Sequence, residues 1–160
     1  MENLWWPGLN LMDPSITKYL LDHIHYEKKG LMLDTGHLLH TNQNLRSQSE
    51  AVSYLKNVLE THKEFYPFIK GIHLQQSLTG EYVQEFIKNP PSLKTDPDEL
   101  FAQAFEHIFK IDKHLPFTEP GIRELVEEIN PLYLTYEYIT SDRKQHEEYL
   151  LEGSRIFTNK

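Results

Sequence analysis

The chain has 160 residues, enough for one domain with a real core. It has no cysteine, which excludes disulfides, thiolate metal sites and a cysteine nucleophile and fits a reducing, cytoplasmic setting. Acidic residues number 24 against 16 Lys and Arg, and the resulting formal charge of -8 gives no support to a broad nucleic-acid surface. No apolar stretch approaches the ~18 residues needed to span a bilayer, and the first residues do not resemble a signal peptide.

In chain order, Glu2-Asn3-Leu4-Trp5 places an acid at what reads as the end of a strand whose only residue here is Met1. Asp13-Pro14 supplies an N-cap and a proline at the first helical position. Ile16, Leu20 and Ile24, with Tyr19 and Leu21 beside them, predict an amphipathic helix that Lys28 and Lys29 close before Gly30. Leu31-Met32-Leu33 is a short apolar run, a buried strand that delivers Asp34 at its carboxyl end. Gly36 lets the backbone bend there, so Asp34 and His37 can point at one place. Residues 38–45 read as a loop. Ser47 and Glu50 form a capping box for a helix that turns Val52, Leu55, Val58 and Leu59 inward.

The next strand spans residues 68–74 and carries His73. The rhythm of strand, helix and strand implies a parallel sheet with right-handed crossovers. It breaks at about residues 76–110, read as a lid inserted over the mouth of the sheet. Glu81 to Lys88 predicts a short helix there. Asp96-Pro97 opens another, with Leu100, Phe101, Ala104, Phe105 and Ile108 on its apolar face. Asp112-Lys113-His114 follows. Thr118 is placed to cap a helix bearing Ile122, Leu125, Val126 and Ile129, which Asn130-Pro131 stops. Residues 132–138 form the last strand, with Glu137 near its end, and a polar helix from about Asp142 completes the chain.

The chemistry lies where apolar runs end. Hard carboxylate oxygens together with imidazole nitrogens suit Zn, Mn or Fe. Asp112 and His114, two residues apart, share one side of an extended segment and can serve one ion. Glu137 lies between Tyr136 and Tyr138, which favours a partly enclosed carboxylate in need of a partner. His23 and His25 face different ways on a helix. His62, His107 and His146 read as helix-surface residues, and His40 lies near the proposed mouth. Trp5, Trp6 and Tyr138 could wall a ligand or simply pack. No phosphate-binding glycine motif and no serine elbow is present.

The ordered segments Glu2-Asn3-Leu4, Asp34-Thr35-Gly36-His37, Ile72-His73-Leu74, Asp112-Lys113-His114 and Tyr136-Glu137 resemble the xylose isomerase-like TIM barrels. That superfamily includes endonuclease IV (AP endonuclease family 2). The resemblance implies an α/β chain forming the carboxyl-terminal half of a (β/α)₈ barrel, with about four parallel strands and helices outside. It makes residues 1–160 a single domain and Met1 an internal methionine of a longer family member.

It further implies Glu2, Asp34, His73 and Glu137 as core metal ligands. His37 would bind metal in the phosphodiesterase branch and contact substrate in the sugar branch, and Asp112 and His114 would build an additional zinc site. Seven candidates exceed one tetrahedral ion, which favours a multinuclear centre. The expected function is therefore divalent-metal-dependent hydrolysis of a phosphodiester, with Glu2 and Glu137 as catalytic carboxylates. Zn is the expected ion, with Mn, Co, Fe or Mg as alternatives, and a small phosphorylated or sugar compound is the substrate. The alternatives are a single-metal sugar or sugar-phosphate isomerase or epimerase, and an inactive fragment that binds only metal or a partner. A short parallel sheet leaves its edges open, so self-association or a missing barrel half is expected as well.

Overall fold

A computed structural model describes residues 1–158. Three parallel strands, β1 (Leu31–Asp34), β2 (Ile69–Leu74) and β3 (Tyr133–Tyr136), form one sheet in the order β1-β2-β3. Seven α-helices accompany them among the described residues: α1 (Pro14–His23), α2 (Thr35–Leu39), α3 (Gln48–Glu60), α4 (Gly80–Lys88), α5 (Pro97–Ile111), α6 (Gly121–Ile129) and α7 (Arg143–Thr158). None of them is long and apolar enough to cross a membrane.

The expectation of about four strands in a half barrel is overturned. Residues 1–3 run beside β1 but make a single bridge, Glu2 with Met32. Two hydrogen bonds hold it, from Met32 N–H to the Met1 carbonyl at 2.7 Å and from Asn3 N–H to the Met32 carbonyl at 3.3 Å. A ladder needs consecutive paired residues, and the chain turns away at once. Leu4 N–H donates to the Leu9 carbonyl at 2.8 Å, and Gly8 takes a φ of 93°, a conformation that costs glycine little.

The core forms where the inward faces of α3 and α6 meet the sheet. Leu55, Leu59 and Ile122 are fully buried with Leu33 of β1, and Leu125 and Ile72 nearly so. Lys56 and Glu124 clamp the outer side of the α3–α6 contact at 2.7 Å. The cap expected for α3 forms as read: Ser47 accepts from Glu50 N–H at 3.2 Å and Glu50 returns to Ser47 N–H at 3.1 Å. Ile122, Leu125, Val126 and Ile129 all face inward, and Asn130 ends α6 in the left-handed region at φ 52°.

Several local readings change. Helix α1 stops at His23 and buries Thr17 and Leu21, leaving Ile16 and Tyr19 exposed. Lys29 still serves its end, reaching back to the Leu21 and Ile24 carbonyls. Residues 35–39 form α2 where the loop was about to start. Thr118 caps nothing. Its N–H and that of Glu119 donate to the Gln48 side-chain oxygen, and α6 starts at Gly121 after Pro120. Residues 76–110 contain α4 and most of α5, which pack on each other; neither helix has a buried residue. The apolar face of α5 therefore meets solvent, with Phe101 65% and Phe105 43% exposed.

Candidate metal centre

The parallel register sets the site. Asp34, His73 and Thr135 are cross-strand partners at the carboxyl ends of the three strands, and Glu137 follows one residue past β3. The bridge to Met32 holds Glu2 beside them. Ligand atoms of Glu2, Asp34, His73 and Glu137 all lie within 4.8 Å of one another. His73 Nδ1 is the hub, 3.1 Å from Glu2 Oε1, 3.1 Å from Glu137 Oε2 and 3.9 Å from Asp34 Oδ2. A tetrahedral ion with bonds of about 2.0–2.1 Å spaces its ligand atoms about 3.3 Å apart, so small side-chain shifts suffice.

Asp34 shows why such an ion fits. Its Oδ1 accepts from His37 N–H at 2.8 Å, capping α2, and from Gln75 Nε2 at 2.9 Å. Its Oδ2 is buried without a hydrogen-bond partner and faces the other three ligands. A buried, ionised oxygen without a hydrogen-bond partner is costly, and a metal ion is a partner that suits this donor set. The Asn3 side chain pins the Asp34 backbone on both sides, at 2.7 Å to its N–H and 2.9 Å to its carbonyl.

A second constellation adjoins the first. Asp112 faces three imidazoles: His114 Nε2 at 2.8 Å, His40 Nε2 at 3.3 Å and His37 Nε2 at 3.5 Å. The Nδ1 atom of His37 lies 2.9 Å from the Asn3 carbonyl, and that of His114 lies 2.8 Å from the Glu137 carbonyl. A carbonyl can only accept, so each Nδ1 carries a hydrogen and each Nε2 is turned toward Asp112. Such outer contacts fix the tautomer of a metal-binding histidine. The pair is not extended, as the spacing had implied. His114 has φ 49°, and Ser77 Oγ holds that bend by accepting from the N–H groups of Lys113 and His114.

The electrostatics follow from burial among like charges. Burial pushes the Asp34 carboxyl up to about 6; His37 opposes the rise, and the Glu137 and Asp112 carboxylates add to it. Burial favours neutral His37, but the Asp112 contact, the Asp34 charge and the Asn3 carbonyl outweigh it and raise this imidazole to about 9. For Asp112 burial is likewise overcome, here by His114, His37 and His40, which hold the carboxyl far below its usual range. His114 is shifted up by its Asp112 contact against the effect of burial.

These shifts set a pH dependence for chelator-treated protein. Between the ordinary imidazole value of 6.5 and about 9, native His37 keeps a proton that the unfolded chain has lost. Stability therefore falls as pH rises through that window, and the His37 contribution, on the order of 3 kcal/mol, is complete below it and gone above it. His114 acts with the same sign, and Asp34 does so in its own window, from 3.8 to about 6. Thermal melts at pH 6.5, 7.5 and 9 check this, with excess Zn expected to flatten the trend. A metal-free melting temperature constant over that range would contradict it.

All seven candidate residues converge: Glu2, Asp34, His73 and Glu137 in one set, Asp112 and His114 in the other. His37 joins the two, because its Nδ1 is 3.8 Å from Asp34 Oδ2 while its Nε2 faces Asp112. Sequence reasoning missed Gln75, fully buried, whose amide reaches Asp34 and, at 3.5 Å, Asp112. It also misread Gly36, which is helical; a Cβ there would lie 2.1 Å from the Gln75 amide. His62 is buried rather than on the surface, under Val58 and Thr61, away from the site. Tyr138 packs on Tyr136, with its hydroxyl against Gly153. No protein-family model matches this chain, and neither a curated protein nor a solved structure is found to match it.

Proposed function

We infer that this protein is a divalent-metal-dependent hydrolase acting on phosphodiesters at a centre of at least two ions. The observation that carries the reading is that His37, Asp112 and His114 lie directly beside the four-residue set, since one ion needs only that set. The order of the ligands along the chain supports it further, through its resemblance to the endonuclease IV branch of the xylose isomerase-like superfamily. Glu2, Asp34, His73 and Glu137 would hold one ion, and His37, Asp112 and His114 another, with Zn favoured by the mixed oxygen and nitrogen donors. Bound there, such ions supply Lewis acidity toward phosphoryl oxygens and make water acidic enough to attack at neutral pH.

The side chains divide the remaining work by exposure. Asp34 is fully buried and serves as a fixed anion. Glu2 and Glu137 have side chains 35% and 41% exposed, so they can orient a water and hold its proton. A cytoplasmic location accords with the absence of cysteine, and self-association with the unpaired outer edge of β3 and the apolar face of α5.

Metal analysis of the purified protein, with turnover assays, tests the reading. Two tightly held Zn ions per chain and hydrolysis of bis(4-nitrophenyl) phosphate are expected. A single ion with interconversion of ketoses would replace it with the isomerase reading. Neither metal nor turnover would leave a protein without activity of its own.

A further inference from the structure

A cavity of about 450 Å³ opens beside the Asp112 constellation, between residues 5–6, the loop after α2, and the facing parts of α4 and α5. Its volume is in the range that takes a small organic ligand. Trp5, Trp6, Leu78, Val83, Ile108 and Ile111 are among its apolar lining, and among the described residues no Lys, Arg, Asp or Glu lines it. It adjoins the Asp112 constellation through two of its lining residues. His40 and Ser77 line it, and both also contact Asp112, at 3.3 and 3.4 Å. Trp5 sets its ring edgewise against both His37 and His40, at centroid distances of 5.2 and 4.9 Å.

We propose that this cavity binds an uncharged aromatic ring, so that the substrate is an ester whose reacting group lies at the ligand sets and whose aryl arm lies against Trp5 and Trp6. A second phosphate or a carboxylate on that arm would find no cation in the wall. Two of the wall's hydroxyls are already engaged, Thr79 Oγ1 with the Ile111 carbonyl and Ser77 Oγ with Asp112, Lys113 and His114, so His40 and the side-chain amides of Asn42 and Gln43 are its remaining polar side chains. Aromatic rings gain from edge and offset contacts with indoles, which the T-shaped Trp5–Trp6 pair offers at 6.2 Å. The assignment of the reacting group rests on the hydrolase reading; the binding of the ring does not.

Trp5 and Trp6 are the protein's two tryptophans, so intrinsic fluorescence reports this cavity directly. The probe is 4-nitrobenzyl alcohol, titrated into chelator-treated and Zn-loaded protein, with N-acetyltryptophanamide as the collisional control and glucose as competitor. Saturable quenching in both forms is expected, unaffected by glucose. Val83→Arg and Ile108→Arg, on two helices without buried residues, should each weaken it about 10-fold or more while metal content stays the same. Quenching that is only collisional, is competed by glucose, or is unchanged in both variants would overturn the proposal. Ring binding without retained metal upholds the cavity and sinks the hydrolase reading alone; metal and turnover without ring binding do the reverse.

Discussion

Asp34→Asn is expected to abolish tight metal binding and, in the same preparation, to make the chelator-treated protein more stable than wild type. Asparagine keeps an oxygen at the Oδ1 position, so the cap on His37 N–H and the bond from Gln75 survive. What changes is Oδ2, the buried oxygen with no hydrogen-bond partner, which becomes an NH₂ group unable to bind a cation. Loss of a direct ligand should cost roughly 100-fold or more in affinity, since even supporting contacts are worth 10–100-fold. Without metal the sign reverses. Wild-type Asp34, raised to about 6 even with the His37 charge nearby, is ionised at pH 8 without a metal ion, and the amide escapes that cost, up to about 3 kcal/mol. Calorimetric metal titration and melts at pH 8 read both effects. His23→Ala is the control, because His23 is engaged with Tyr19 on α1 and should leave metal content untouched. Wild-type affinity in Asp34→Asn would remove Asp34 from the ligand set.

His114→Ala is expected to lose one of two metal equivalents and most phosphodiester hydrolysis, a fall of roughly 100-fold or more. The imidazole contributes Nε2 at 2.8 Å from Asp112 and is held through Nδ1 by the Glu137 carbonyl, so its removal opens one set and leaves the other complete. The backbone at 114 sits in the left-handed region, which asparagine tolerates better than most residues, so His114→Asn provides a variant that keeps the bend. Both variants should melt within a few degrees of wild type once chelated. Retention of both equivalents with full hydrolysis in either would take His114 out of the site. One equivalent in wild type and variants alike, with ketose interconversion, would favour the isomerase reading.

What the sequence determined by itself is local. Ser47 with Glu50, and Asp96 before Pro97, are helix starts whose partners lie within one turn, so they can be read without the fold. The inward stripe of α6 was equally legible, because its period repeats at the helical pitch. Acids and histidines at the ends of apolar runs likewise marked the seven candidate ligands. The tertiary structure decided everything that depends on residues far apart in the chain. It replaced about four strands with three, because the chain at Leu4 turns back toward Leu9 instead of continuing a ladder. It left the apolar face of α5 exposed, since periodicity states which face is apolar and not whether anything covers it. It gathered Glu2, Asp34, His73 and Glu137 in one cluster, set His37 and His114 against Asp112, and placed Gln75 between Asp34 and Asp112, 41 and 37 residues away. Gly36 makes the same point: its missing side chain answers to the Gln75 amide packed against it, a contact that exists only once β1 and β2 have paired.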